Sequence, residues 1–124
     1  MTRLYHLSAP NTGMLGRQTT LDLTEAYARH ILRDLKKFLE DEEPKHPHIT
    51  HPEHIPNQLA RRKAPTLCHL KVHRRYETET LVLNRQNAEF AHDVLSSVID
   101  REDEKAPRKT LGRVTASVSH YGDQ

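Results

Sequence analysis

The sequence predicts an α+β domain of ferredoxin-like type, a βαββαβ sandwich with two helices packed on one face of a four-stranded antiparallel sheet. Three observations lead there. Two segments repeat their apolar residues at three- and four-residue steps, as helices do. Two others alternate apolar and polar residues, as half-buried strands do, and two shorter runs complete the order strand, helix, strand, strand, helix, strand. With 124 residues in the chain, one core is the default, so residues 1–124 are read as a single α+β domain.

The elements follow in order. Arg3, Leu4, Tyr5, His6 and Leu7 read as a first strand, closed by a turn at Pro10, Asn11 and Gly13. A loop through Gly16 then leads toward a helix. Thr24, Ala28, Ile31, Leu35 and Phe38 form one stripe, widened by Tyr27, Leu32 and Leu39, which predicts an amphipathic helix over about 22–42 with Asp22 and Glu25 as its capping box. Pro44, Pro47, Pro52, Pro56 and Pro65 punctuate a long surface loop at about 43–65, a length that makes it a place to look for contacts. From 66 to 75, Cys68, Leu70 and Val72 alternate with His69, Lys71, His73 and Arg75, and a turn near 76–78 leads to Thr80, Leu81, Val82 and Leu83, which predicts a hairpin. Asn84 or Asn87 is placed to cap a second helix whose apolar face is Ala88, Ala91, Val94, Leu95 and Val98. Val114, Ala116 and Val118 alternate with polar neighbours in a closing strand.

Composition narrows the class. Hydrophobic residues make up 35% of the chain against 29% charged, with no Trp, so the apolar stock for a core is thin and a homodimer or a covering partner is expected. Cys68 is the sole cysteine, which excludes an intramolecular disulfide and fits a reducing compartment. No apolar run has signal-peptide or spanning length, so a cytoplasmic protein with no membrane contact is expected. The formal charge of +2 is far from that of an obvious nucleic-acid binder. Its distribution is uneven: twelve Lys and Arg face nine Asp and Glu from Asn57 onward, against seven and eight before it.

Candidate sites come from these placements. A ferredoxin-like sheet leaves one face open, and Tyr5, His69, Lys71, His73, Arg75 and Arg113 are expected there, where cations neutralise phosphates and a ring stacks on bases. Arg61, Arg62 and Lys63 extend the same basic surface for nucleic acid or a protein partner. Gly13, Gly16, Arg17 and Thr19 lie between the first strand and the expected helix start, where free amides favour an anion, without the lysine ending of a P-loop. His46, His48, His51 and His54 are metal ligands by type, but no Cys pair or helical His-Glu-x-x-His motif accompanies them, so no cofactor is expected.

No catalytic constellation emerges. Cys68 falls on an inward face and its neighbour His69 on the outward one, which separates nucleophile from base. The resulting expectation is a small cytosolic non-enzymatic binding protein that regulates or inhibits a larger macromolecule through protein contacts. Single-stranded RNA or DNA binding on the basic sheet face is the second expectation. A sensor of an anionic small molecule or nucleotide is the third.

Overall fold

A strand with apolar side chains at alternate positions turns them all to one side, and pairing such strands builds a sheet with one face ready for burial. The computed structural model describes residues 2–40 and 67–121. Among these residues the chain runs β1 (Thr2–Asn11), β2 (Arg17–Leu23), α1 (Glu25–Glu40), β3 (Leu67–His73), β4 (Thr78–Asn84), α2 (Arg85–Asp100), β5 (Arg108–Leu111) and β6 (Val114–Tyr121). One sheet has the order β2-β1-β6-β5, the other consists of β3 and β4, and every pairing is antiparallel.

Among the described residues the fold is therefore α+β with two helices and antiparallel sheets, and the expected ferredoxin-like βαββαβ order is replaced by hairpin, helix, hairpin, helix, hairpin. The cause is two edge strands that the hydrophobic pattern conceals. In β2 only Leu21 and Leu23 are buried, and the half next to Gly16 is largely exposed. β5 is four residues long with a single apolar member, the half-buried Leu111. Edge strands that face water on most sides carry little alternation for a reader to find.

The helices form where the pattern places them, with α1 starting later. Asp22 belongs to β2, and Thr24 caps the helix instead: its hydroxyl accepts the Tyr27 N–H at 3.2 Å and its carbonyl accepts the Ala28 N–H at 2.8 Å. Ala28, Ile31, Leu35 and Phe38 are buried along one side. The second helix is capped by Asn84, whose side chain accepts the Asn87 N–H at 2.8 Å, and it buries all five expected apolar residues together with Ile99.

Both helices and both sheets share one core, with Tyr5, Leu7, Leu21 and Leu23 from the larger sheet and Leu70, Leu81 and Leu83 from the hairpin fully or almost fully buried. Beyond the shared core, a buried polar side chain ties the two sheets together. Asn11, 2% exposed, donates from Nδ2 to the Thr80 carbonyl at 2.9 Å and accepts the Val82 N–H at Oδ1 at 3.0 Å, as a neighbouring strand's peptide would. The same Oδ1 accepts the Gly13 N–H at 3.1 Å, so one amide closes the β4 edge and shapes the β1–β2 turn together. No helix among the described residues is long and apolar enough to cross a membrane.

Candidate functional site

The β1–β2 turn and the outer face of the β3–β4 hairpin form one surface. Asn11 fixes the turn against β4, and Gly13 lies so close to Val82 that a Cβ there would come within 3.1 Å of Val82 Cγ2. The turn then carries Met14 and Leu15 outward. Leu15 is 102% exposed and holds a left-handed backbone, with φ 55° and ψ 38°. A Cβ-bearing residue in that region costs roughly 1–2 kcal/mol. Leucine is among the residues that water favours least, so both its conformation and its exposure work against stability here.

Beside this apolar tip stands a basic ridge. Val82 pairs with His69 and Thr80 with Lys71, so the residues under the turn neighbour the exposed side chains of β3. Backbone parity follows from the Asn11 contacts. Since Thr80 O and Val82 N turn away from β3, the residues opposite them, Lys71 and His69, turn their own N–H and C=O away from β4. The same parity appears at His73, whose N–H donates to the Tyr27 hydroxyl at 2.9 Å. Among the described residues nothing pairs with the outward backbone groups of His69 and Lys71. Among the described residues this stretch of β3 is therefore an open edge, flanked by a cationic and an imidazole side chain.

At the hairpin turn, the Arg75 guanidinium lies 5.3 Å from the centre of the exposed Tyr76 ring. Arg74 is committed elsewhere, to the Asp22 carbonyl at 2.9 Å and the Glu79 carboxylate at 3.2 Å. Cys68 faces the core, and burial, with the nearby Asp34 charge, pushes its thiol up to about 11. It is protonated and unreactive at neutral pH.

The sequence-predicted residues divide accordingly. His69, Lys71, His73 and Arg75 are exposed on the hairpin as expected. Tyr5 is not with them: it is fully buried on the inward face of β1, because strand parity places it with Leu7 and Ala9. Arg113 is exposed, but on the β5–β6 turn of the other sheet, so the expected common platform is split between two sheets. The premise for anion binding at Gly13, Gly16, Arg17 and Thr19 also fails. Their segment leads into β2 and not into a helix, and the Gly13 and Gly16 amides are both taken by Asn11. Arg61, Arg62, Lys63, His46, His48, His51 and His54 lie outside the described residues. Among the described residues no cluster of metal-ligating side chains occurs.

Two features escaped the sequence. The exposed Met14 and Leu15 stand between two glycines in a turn, where large apolar residues are out of place, and that mismatch was the available signal. On the face of the larger sheet turned away from α1 and α2, Asp22, His6 and Ser119 from β2, β1 and β6 fall in line, joined by contacts of 2.6 and 2.7 Å. No sequence signal marks them, since their meeting requires the register of three strands. No protein-family model, curated protein or solved structure matches this chain.

Proposed function

We propose that this chain is a small non-enzymatic binding protein that regulates or inhibits a larger macromolecule through protein contacts made by the Met14–Leu15 tip and the β3 ridge. The observation that carries the reading is Leu15, fully exposed in a left-handed backbone. An apolar anchor with charged side chains alongside is the anatomy of a protein interface, in which a few side chains buried on binding supply most of the affinity. The ridge of His69, Lys71 and Arg75 sets the chemistry of the partner: an acidic surface that offers an apolar pocket to Leu15 and an extended segment to the open edge of β3.

Capture by the immobilised full chain, compared between wild type and variants, tests this. The same partner must be lost with Leu15→Asp and weakened by Lys71→Glu, yet retained by Arg113→Glu. A partner that survives Leu15→Asp refutes the tip as its anchor.

The Arg75–Tyr76 stack, on the same hairpin as Lys71, favours one second reading, single-stranded RNA bound on the ridge, since an aromatic face and a cation are what such a platform uses. Size-exclusion chromatography with light scattering, run alone and with short single-stranded RNA at two salt concentrations, separates the readings. A salt-sensitive shift onto RNA that Lys71→Glu removes establishes the second, because released counterions make such binding fall steeply with salt. The run without RNA also reads the homodimer expected from the thin core.

A further inference from the structure

We infer that Ser119 is a primed nucleophile that accepts an acyl group from an activated ester or thioester, with His6 as its base and Asp22 orienting that base; this site is separate from the binding surface proposed above. The geometry is a relay across three neighbouring strands. Asp22 Oδ1 lies 2.6 Å from His6 Nδ1, and His6 Nε2 lies 2.7 Å from Ser119 Oγ. The register makes it: His6 stands directly opposite Asp22 on one side and Ser117 on the other, and its ring reaches diagonally to Ser119.

The proton positions follow from the chemistry of the end groups. A carboxylate at neutral pH accepts and does not donate, so the neutral imidazole carries its hydrogen on Nδ1 and points it at Asp22. Nε2 is then left with a lone pair, and the Ser119 hydroxyl donates to it. This is the tautomer that a general base needs, and the line from carboxylate through imidazole to hydroxyl has the role order of an activated serine. Side-chain exposure is 25% at His6 and 53% at Asp22, so the relay can be reached from solvent.

In the proposed step, Ser119 Oγ attacks the acyl carbon, its proton passes to His6 Nε2, and the bond from the acyl carbon to the leaving oxygen or sulfur breaks with the electron pair going to the leaving group. The imidazolium then returns its proton to that group or to water. Leu4, opposite Ser119 on β1 and half-buried, is the apolar neighbour for the acyl chain.

The site is built for one acylation and not for turnover. Ser119 lies inside a strand paired with β1, which commits its own backbone amide to the ladder instead of aiming it at an oxyanion. Loss of even one oxyanion donor typically costs about a hundred- to a thousandfold in rate. An aryl oxide or thiolate leaves readily without such help, whereas in hydrolysis the far more basic serine oxygen leaves only as His6 protonates it, from a tetrahedral oxyanion that nothing among the described residues of the site stabilises. The acyl group therefore stays.

The test is the full chain with p-nitrophenyl acetate. The expected result is a burst of nitrophenolate near one equivalent, with acetate located on Ser119 by peptide mass spectrometry. Ser119→Ala must abolish the burst, and Asp22→Asn must slow it by roughly tenfold to a hundredfold while far-UV circular dichroism is unchanged. Acetate found only on lysines, or a burst that persists in Ser119→Ala, overturns the proposal, as does an unlabelled protein. A burst in Asp22→Asn as fast as in wild type removes Asp22 from the relay and overturns the three-residue assignment.

Discussion

Asn11→Ala has a consequence that can be worked out bond by bond from the structure. The alanine removes three side-chain hydrogen bonds, to Thr80 O, Val82 N and Gly13 N, all at a residue that is 2% exposed. At a net value of about 1 kcal/mol each, the loss is ~3 kcal/mol, and the buried Val82 N–H left without an acceptor puts the cost at the upper end of that range. For a chain of this length, each kcal/mol moves the midpoint by about 3–5 °C, so Tm should fall by ~10 °C or more. Thermal and urea unfolding followed by circular dichroism read this directly. Asn11→Asp is the sharper control. It keeps the acceptor but points a carboxylate oxygen at the Thr80 carbonyl, so it must destabilise as severely as alanine. A loss below about 1 kcal/mol in Asn11→Ala, or a wild-type midpoint in Asn11→Asp, refutes the view that this amide couples the two sheets.

Other consequences follow from single residues. Leu15→Gly removes the left-handed strain, so it should leave stability unchanged or raise it while weakening partner capture; a loss beyond ~1 kcal/mol would show that Leu15 serves the fold. Gly112→Ala should destabilise by about 1–2 kcal/mol in urea unfolding, because Gly112 has φ +59° and its Cβ would meet Phe90 Cε2 at 3.0 Å. Cys68 has an ordinary value of 9.0 that the fold raises to about 11. The thiol is protonated in both states below 9, and between 9 and 11 the unfolded chain gives up a proton that the folded chain keeps, so this contribution to stability is lost as pH rises through that window. Urea midpoints across the window should decline less steeply in Cys68→Ala, and thiol reagents at neutral pH should label Cys68 only after unfolding.

The helices were legible because each buries a stripe. Ile31, Leu35 and Phe38, and again Val94, Leu95 and Val98, carry the helical period without interruption. The hairpin was legible for the same reason at a period of two, with Cys68, Leu70 and Val72 inward and His69, Lys71 and His73 outward. What failed was parity on β1. Counting Tyr5 as outward put a core ring on a binding face, and only the neighbouring Leu7 and Ala9 on the same side reveal the error. The relay of Asp22, His6 and Ser119 lay beyond sequence reasoning altogether, since the ring of His6 bonds residues 16 and 113 positions away. Asn11 was legible only in half: its turn preference is local, whereas its bonds to β4 depend on packing.

The central pairing of the larger sheet joins the two most distant stretches of the described chain, with Leu7 beside Ala116 and Tyr5 beside Val118. During synthesis β1 therefore emerges long before its partner does. At ~10 residues per second, β1 waits roughly 10 s for β6, with β2 able to close one of its sides and the other side left bare. An unpaired strand edge is a template for wrong partners, and a contact of such sequence separation slows folding as well. The polar outward residues of β1, among them His6 and Ser8, then have a second value: they keep a strand that must wait from being an attractive place for another chain to add.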